Sequence, residues 1–306
     1  MYRLKKCNRR SKNRKSLRSL DAYAVILVGG KGKRLRPLSN DKKPKAFISV
    51  TQDRKTMFRR AVDRASKIVP IERILVVANQ AHALHIKKDA PDLFGENVLL
   101  EPVSRNTAPA IALAAQNLHK RFGECIIVVF PTDQYIMKEA FYMKAVQKGI
   151  DFVRNNAGDF VIFGQRPSYP ATGFGYIKLK RGSEISKVSR FTEKPEPEIA
   201  ERYVKNGNYF WNISTFIFGV DALLRSFKKL APAIYRGLQG GVNRSGYSKL
   251  PDISIDYAIM EKAGNIRCLK GDYGWQDMGS FDSLRKIMKR EGRRFVEKDG
   301  RITKIL

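Results

Sequence analysis

Residues 23–47, YAVILVGGKGKRLRPLSNDKKPKAF, decide the fold of this chain. They begin with a short continuous apolar run, residues 23–28, which is typical of a central parallel strand covered on both faces. Gly29, Gly30 and Gly32 follow, and residues without a Cβ let a backbone turn tightly and approach a ligand. The stretch therefore predicts a buried strand that leads into a turn suited to binding a ligand.

Positive charge follows these glycines. Against one acid, Asp41, residues 31–45 carry seven cations: Lys31, Lys33, Arg34, Arg36, Lys42, Lys43 and Lys45. Backbone N–H groups in such a turn form an anion-binding concavity, and the cations add charge-assisted hydrogen bonds to phosphate oxygens. The turn is neither the ATPase P-loop nor the dinucleotide-binding loop, because no Gly-Lys-Ser/Thr closes it and its glycine spacing is not GxGxxG.

The same segment resembles the signature of the sugar-phosphate nucleotidyltransferases, roughly GGxGxRLxPLS followed by PK. Here it reads GGKGKRLRPLS from Gly29 to Ser39, and then Pro44-Lys45. The alternative for this stretch alone is a basic surface loop after a strand. The resemblance implies that Lys45 acts at the α-phosphate and that five loop residues bind the nucleotide: Gly29, Gly30, Gly32, Lys33 and Arg34.

Length and composition set the broad class. With 306 residues, 43% of them apolar, the chain can bury a large core as one α/β domain with or without a small appendage. No window reaches the run of about 18 apolar residues that a membrane span needs, and the N-terminus has no apolar signal region. Three scattered cysteines indicate a reducing compartment and exclude a zinc site built on thiolates. We therefore expect a cytoplasmic protein without a membrane segment.

Net charge raises the question of nucleic acid. The chain has 59 Lys and Arg against 29 Asp and Glu, a formal charge of +30. Residues 1–20 contain no acid and are predicted to be a disordered basic tail, and the remaining excess is spread along the chain. This spread favours anionic small substrates over a nucleic-acid groove, and no helix-turn-helix or RRM is visible. A nucleic-acid-binding protein remains the alternative from another class.

The apolar pattern predicts a parallel sheet. A helical spacing over residues 55–68 is followed by an apolar run at 74–78, and further runs occur at 98–100, 126–130 and 160–164. Strand, helix and strand in this order form a βαβ unit. With the resemblance, this implies an α/β, Rossmann-like nucleotidyltransferase fold, a three-layer sandwich around a mixed, mostly parallel central sheet.

Residues 101–110, EPVSRNTAPA, follow a predicted strand at the edge where open α/β sheets bind ligands. Thr107 can cap the helix that follows, but a capped helix does not explain Glu101, Arg105 and Asn106. The string resembles the EPxxRNTAPAI motif of mannose-1-phosphate guanylyltransferases. The resemblance implies that Glu101, Arg105, Asn106 and Thr107 bind the nucleotide, and a carboxylate beside an amide suits the guanine edge.

Two acidic residues are candidates for a metal site. Asp133 follows the strand at 126–130 in PTDQYI, which resembles the family segment PxDHxI with Gln134 in place of histidine. Asp277 lies in GWQDMGSF, which resembles GWxDxGSW. The resemblance implies that both carboxylates bind Mg²⁺. Without the other motifs, Asp133 would equally be an Asx cap.

Three further segments resemble the sugar-binding motifs of the family: TGFGYI at 172–177, FTEKP at 191–195 and YFWNIS at 209–214. Ile213-Ser214 replaces the usual Ser-Gly, and we expect the branched side chain to narrow the sugar pocket. SIDYAIMEK at 254–262 is predicted to be a helix at the pocket wall. The resemblance implies that five residues bind the sugar phosphate: Gly175, Tyr176, Glu193, Lys194 and Asn212.

The resemblance thus implies transfer of a guanylyl group from GTP to mannose 1-phosphate, with Arg34, Lys45, Asp133 and Asp277 as catalytic residues. The alternatives are a glucose 1-phosphate enzyme using dTTP or UTP, and a non-catalytic subunit that binds GDP-mannose. We expect a catalytic domain over residues 21–292 and a short β extension over 293–306, the remnant of a β-helical domain. A homodimer is compatible with the sequence.

Overall fold

The computed structural model describes residues 20–30, 32–93, 95–180, 184–241 and 243–306. All but the last residue of the predicted basic tail, and Lys31 of the glycine turn, therefore lie outside the described residues. Among the residues described, no helix is long and apolar enough to cross a membrane.

The described chain alternates strands and helices, as the apolar pattern predicts. The strands are β1 (Ala22–Val28), β2 (Ile74–Asn79), β3 (Val98–Glu101), β4 (Ile126–Pro131), β5 (Gln134–Ile136), β6 (Phe160–Gln165), β7 (Tyr176–Leu179), β8 (Ile185–Thr192), β9 (Tyr209–Gly219), β10 (Ile266–Gly271), β11 (Trp275–Asp277), β12 (Phe295–Lys298) and β13 (Arg301–Ile305). The helices are α1 (Met57–Ala65), α2 (Ala83–Asp89), α3 (Thr107–Phe122), α4 (Glu139–Asn155), α5 (Pro197–Asn206), α6 (Val220–Leu230), α7 (Pro232–Gly237), α8 (Arg244–Ser248) and α9 (Phe281–Arg290).

A nine-stranded sheet in the order β3-β2-β1-β4-β9-β6-β10-β8-β7 forms the centre. The neighbours from β3 to β4 pair in parallel, as do β6 and β10, whereas β9 is antiparallel to β4 and β6, and β8 to β10. Only β8 and β9 therefore oppose the common direction within this sheet. The predicted mixed sheet is confirmed. Seven of its nine strands share one direction, but β7 is also antiparallel to β8 and β9, so five of its nine pairings are antiparallel.

The two faces of this sheet carry separate apolar clusters. In β1, Ala24 and Ile26 face a cluster that includes side chains of α1 and α4, and Val25 faces another that includes α3 and α6. The alternation follows from the strand period of two, and it explains why β1 is apolar at every position. Burial on both faces fixes the strand in the centre of the molecule.

The direction of the strands places several loops at one edge. The carboxyl ends of β1, β3 and β4 lead into the glycine turn, residues 102–106 and residues 132–133. Because β9 runs the other way, its amino-terminal part reaches the same edge, where Asn212 pairs with Gly164 of β6. Loops at the carboxyl ends of parallel strands are where open α/β sheets bind ligands.

Residues 293–306 form a small antiparallel hairpin of β12 and β13. Ile302 of this hairpin is fully buried in a third apolar cluster, which also contains Leu35 from the glycine turn and Met278 from the loop after β11. The short strands predicted for this segment are confirmed. The hairpin packs underneath the turns that line the sheet edge.

Candidate active site

One cleft at this edge brings together residues from nearly every predicted motif. It has a volume of about 240 Å³. Nine of its lining residues belong to the predicted site: Arg34, Asn106, Thr107, Asp133, Gly175, Glu193, Lys194, Asn212 and Asp277. These residues come from segments up to 243 positions apart in the chain, so the convergence is a property of the fold rather than of any local pattern.

A two-stranded ladder holds the two predicted metal ligands together. Strand β11 pairs antiparallel with β5, and in this register Asp277 lies opposite Gln134, the residue after Asp133. The Met278 amide also donates to the Asp133 carbonyl oxygen at 2.9 Å. The backbone therefore fixes both carboxylates in the same part of the cleft.

The charges of this pair are strongly linked. Burial raises the pKa of Asp277, and the neighbouring Asp133 carboxylate raises it further. Burial also raises the pKa of Asp133, but the Lys45 ammonium outweighs this effect and the net pKa is below its ordinary value. Lys45 Nζ lies 2.7 Å from Asp133 Oδ2, and its own side chain is only 9% exposed. The cleft thus contains a charged carboxylate beside a second one that resists ionisation.

This donor set fits a divalent magnesium ion. Mg²⁺ is commonly bound by one or two carboxylates together with substrate phosphates, and Asp133 and Asp277 supply the two carboxylates. Within the described ranges no group of three or more His, Cys, Asp or Glu side chains forms a site of its own. A cation here would therefore rest on this pair and on oxygens that the substrate brings.

The glycine turn packs against Lys45, the cation that pairs with Asp133. Gly32 has φ = 60°, and a Cβ at this position would lie 2.9 Å from the Cβ of Lys45 and 2.8 Å from Ser39 Oγ. Only glycine allows this contact without a shift of its neighbours. The exposed residues Gly29, Gly30 and Lys33, and the half-buried Gly32, lie in the same turn. None of these four lines the cleft itself, and their predicted role in binding phosphates stays a prediction.

Arg34 reaches the cleft from this turn. Its Nη2 and Asp277 Oδ2 both lie close to Gly279. A Cβ added to Gly279 would be 2.9 Å from Arg34 Nη2 and 2.6 Å from Asp277 Oδ2. Arg34 also lowers the pKa of both Asp133 and Asp277, after the larger effects of burial and Lys45. Two cations, Lys45 and Arg34, therefore flank the acidic pair.

The segment predicted to lie along the nucleotide base is used largely for internal contacts. Glu101 is buried and accepts a hydrogen bond from the Tyr247 hydroxyl at 2.6 Å, and burial raises the pKa of this carboxyl. The Arg105 guanidinium donates to the Ser248 carbonyl oxygen. Both side chains therefore hold α8 and do not line the cleft. Their predicted contact with the nucleotide stays a prediction.

Asn106, rather than Thr107, caps the helix that follows this segment. Asn106 Oδ1, not Thr107, caps α3 by accepting from the Thr107 amide at 2.9 Å, so the expected Thr107 cap is wrong. Thr107 Oγ1 instead accepts from the Ile255 amide at 2.9 Å. The backbone of Asn106 has φ = 66°, a conformation that non-glycine residues seldom adopt and that clusters at functional sites. Both side chains line the cleft.

The end of the cleft that is predicted to bind the sugar contains Gly175, Glu193, Lys194 and Asn212. Lys194 Nζ lies 2.6 Å from Glu193 Oε1, and this contact raises the pKa of Lys194 although burial opposes it. A Cβ on Gly175 would lie 2.6 Å from Glu193 Oε2, so the glycine leaves room for that carboxylate. Tyr176, by contrast, is fully buried in the core and does not line the cleft.

The expected narrowing of this pocket by Ile213 is wrong. Ile213 is fully buried in the apolar cluster on the side of α1 and α4, because the next residue along a strand faces away from Asn212. Ser214 lines the cleft instead, with φ = 56°, a conformation that suits the glycine of the family motif at this position. Gln134, in place of the family histidine, donates from Nε2 to the Ile213 carbonyl oxygen. Gln134 and Ile213, which both differ from the family motifs, are thus in direct contact.

Asp256 is a cleft residue that the sequence reasoning did not assign. It begins a π-helical turn, Asp256–Met260, where a regular helix was predicted. Its side chain lines the cleft and is buried, and Asn212 Nδ2 donates to its Oδ1 at 3.0 Å. Burial, and then the Glu193 carboxylate, raise its pKa to about 7. The sequence feature that could have indicated this residue is a single acid within the otherwise apolar run from Ile255 to Met260.

The backbone strain at Ser214 predicts an effect on stability. Substituting Ser214→Gly should raise the free energy of unfolding by about 0.5–1 kcal/mol. Left-handed backbone costs a non-glycine residue about 1–2 kcal/mol, and the greater freedom of glycine in the unfolded chain offsets part of this gain. Chemical denaturation measures the change. Ser226→Gly, in helix α6, is the matched control and should lower stability by about 0.5 kcal/mol. A loss of stability in both variants would contradict the strain.

The raised pKa of Asp256 predicts a pH-dependent cost of folding. The folded protein binds a proton here that the unfolded chain has lost, so the stability contributed by this group falls as the pH rises toward 7. The variant Asp256→Asn should therefore gain thermal stability over the wild type, and this gain should grow between pH 5 and pH 7.5. Thermal unfolding at these pH values measures the difference. A constant difference would mean that the carboxyl titrates normally.

Comparison with known proteins places the chain in a family. Residues 23–293 match the family model described as nucleotidyl transferase. The chain is 35% identical over 286 residues to the xanthan biosynthesis protein XanB of Xanthomonas campestris pv. campestris, covering 89% of this chain and 60% of the relative. It is also 35% identical over 295 residues to the mannose-1-phosphate guanylyltransferase ManC of Salmonella typhimurium, with coverage of 89% and 60%. The chain thus spans 60% of the length of these curated relatives.

Solved structures agree with the fold. A crystal structure described as mannose-1-phosphate geranyltransferase from Thermus thermophilus superposes with a TM-score of 0.80 at 32% identity, covering 88% of this chain and 79% of that one. A structure described as mannose-6-phosphate isomerase from Helicobacter pylori gives a TM-score of 0.72 at 28% identity, with coverage of 84% and 100%. By its sequence match and its fold, this chain belongs to the nucleotidyl transferase family.

Proposed function

We propose that this protein is a mannose-1-phosphate guanylyltransferase, which converts GTP and α-D-mannose 1-phosphate into GDP-mannose and pyrophosphate. The observation that carries the proposal is one cleft lined by the acidic pair, Arg34 and the Glu193–Lys194 pair, with Lys45 bound to Asp133 beside it. The named function of the ManC relative, and the match to the EPxxRNTAPAI motif, support guanine and mannose over other bases and sugars.

The reaction needs little covalent chemistry from the protein. An oxygen of the mannose 1-phosphate attacks the α-phosphorus of GTP, a new phosphorus–oxygen bond forms, and the bond from the α-phosphorus to the pyrophosphate oxygen breaks. The attacking oxygen is already ionised, so no general base is required. The protein must instead hold two polyanions together and stabilise charge on the leaving group, as in phosphoryl transfer generally.

Lys45 and Arg34 carry out this electrostatic task at the triphosphate end. Lys45 is held in place by Asp133 at 2.7 Å and by its contact with Gly32, so little reorganisation is needed when a phosphate binds. Arg34 is exposed at the cleft and can reach incoming phosphate oxygens. A preorganised cation of this kind stabilises transition-state charge more than a mobile one.

Asp133 and Asp277 would hold Mg²⁺. When bound, the ion would neutralise charge on the phosphate groups of the substrate. The two carboxylates also explain why the cleft needs its cations: burial and mutual repulsion raise the pKa of Asp277, and Lys45 and Arg34 oppose that effect. The acidic pair is therefore prepared to accept positive charge.

The remaining residues hold the other substrate and the nucleotide. We assign Lys194 to the phosphate of the sugar, and Glu193 and Asn212 to its hydroxyl end. We assign Asn106 and Thr107, which also line the cleft, to the nucleotide. Glu101 and Arg105 support the same segment through α8.

The proposal extends to the organisation of the chain. We propose that residues 21–292 form the catalytic domain, that residues 293–306 are a β extension of it, and that the helices on the two faces of the sheet make a three-layer sandwich. We assign the protein to the cytoplasm, and a homodimer and a β-helical origin of the extension stay predictions.

A substrate panel tests the reaction. Pyrophosphate release should be measured for GTP, ATP, dTTP and UTP, each with mannose 1-phosphate and with glucose 1-phosphate. We expect kcat/KM for GTP with mannose 1-phosphate to exceed every other pair by about tenfold or more, because a site built to hydrogen-bond one edge rejects others. Preference for dTTP or UTP with glucose 1-phosphate would identify the alternative enzyme. Release from no pair would exclude a transferase of either kind.

The acidic pair makes a second prediction. Asp277→Asn should lower kcat by about a hundredfold or more, because a charged contact in the transition state is worth about 3 kcal/mol. The loss should appear without a change of fold in circular dichroism. Asp272→Asn is the matched control, since Asp272 is exposed and forms a surface ion pair with Lys138. Turnover of Asp277→Asn at the rate of this control would remove Asp277 from the site.

A further inference from the structure

We infer that Asp256 is a specificity-determining residue for the sugar, whose carboxylate accepts a hydrogen bond from one hydroxyl of the hexose ring. This inference rests on the proposed function, because it takes a hexose phosphate as the occupant of the cleft. It adds a residue to the sugar end that none of the sugar motifs contains. The case for it depends on how the neighbouring polar groups are already used.

Asn212 uses half of its side-chain hydrogen-bonding capacity within the protein. Its Nδ2 donates to Asp256 Oδ1 at 3.0 Å, and its Oδ1 accepts from the Ser214 amide at 3.1 Å. An amide side chain offers two N–H donors and an oxygen with two lone pairs, so one N–H and one lone pair remain for the sugar. Asn212 therefore also positions a second polar group at the sugar end, the Asp256 carboxylate.

Glu193 is also engaged by the protein. Lys194 Nζ binds its Oε1 at 2.6 Å, its Oε2 lies against Gly175, and its own amide donates to Glu261 Oε1 at 2.9 Å. Its side chain is only 7% exposed, so this ion pair is largely shielded from water. Asp256 therefore adds a second carboxylate acceptor at the sugar end. Unlike Glu193, it forms no direct ion pair with Lys194 in the described chain.

The conformation of the segment around Asp256 indicates a built site. π-helical turns are rare and are frequent at functional sites, and this one begins at the residue that lines the cleft. Burying a carboxylate beside another carboxylate is costly, and burial and Glu193 bring the pKa of Asp256 to about 7. A sugar hydroxyl that donates to this carboxylate would relieve the cost of burial on binding.

The start of α3 holds this segment in place. Thr107 Oγ1 accepts from the Ile255 amide at 2.9 Å, and the Ala108 amide donates to the Ile253 carbonyl oxygen at 3.2 Å. These two bonds fix the chain immediately before Asp256 on both sides of Ser254. The strand-to-helix segment that we assign to the nucleotide therefore also orients the proposed sugar acceptor.

Deoxy sugars give the most direct test. Wild type and Asp256→Asn should be assayed with mannose 1-phosphate and with its 2-, 3-, 4- and 6-deoxy forms. We expect the wild type to lose about tenfold to a hundredfold in kcat/KM with one of these forms, the range for a hydrogen bond to a charged group. Asp256→Asn should lose a similar factor with mannose 1-phosphate and should show no further loss with that same deoxy form.

Two comparisons separate this role from a structural one. The KM for GTP should stay within about twofold in Asp256→Asn, because a disordered cleft would weaken both substrates. Asp252→Asn makes the same chemical change on an exposed residue of the same segment, and its deoxy-sugar profile should match the wild type. If Asp256→Asn keeps the wild-type sensitivity to every deoxy form, or if its KM for GTP rises as much as that for the sugar, the inference is overturned.

Equilibrium binding distinguishes this inference from the proposed function. Isothermal titration with GDP-mannose should show at least a tenfold weaker Kd for Asp256→Asn than for Asp252→Asn, about the value of one hydrogen bond to a charged group. If the wild type releases no pyrophosphate but binding still follows this order, the proposed reaction fails and the sugar contact stands. If the wild type binds neither GDP-mannose nor any hexose 1-phosphate, both are overturned.

Discussion

Two like charges have to share one small cleft, and much of the site follows from that constraint. The β5–β11 ladder forces Asp133 and Asp277 together, and their pKa values move in opposite directions because Lys45 pairs with only one of them. A buried lysine is itself costly, so the lysine and the aspartate depend on each other. The glycine at position 32 is required because the backbone passes directly over that lysine.

The sheet and the charged end of the cleft could be predicted from the sequence, because their signals are local. An apolar strand followed by glycines and cations indicates both a buried strand and a phosphate turn, and Asp133 directly follows another apolar strand. The partners of Glu101 and Arg105 could not be predicted, since Tyr247 and Ser248 lie 146 and 143 positions away. Asp256 was missed for the same physical reason: its partner Asn212 is 44 residues distant, and no local pattern encodes the contact.

Most of the backbone strain in the described chain lies around the cleft. Five non-glycine residues of the described chain have a positive φ, and three of them, Asn106, Lys194 and Ser214, line the cleft. Each such conformation costs free energy that the surrounding packing must supply. Asn106 and Ser214 are both tied by the side-chain oxygen of an asparagine, which stabilises the turn locally. Most of the strained residues are thus ones whose polar side chains line the cleft.

The hairpin at residues 295–305 packs against both the glycine turn and the loop after β11. Ile302 packs in one cluster with Leu35, next to Arg34, and with Met278, next to Asp277. A close-packed interior transmits displacement because it has few voids to absorb it. A shift of the hairpin would therefore move the glycine turn and the loop after β11 together. A molecule that bound to the outer side of this hairpin would therefore displace Arg34 and Asp277 at the same time.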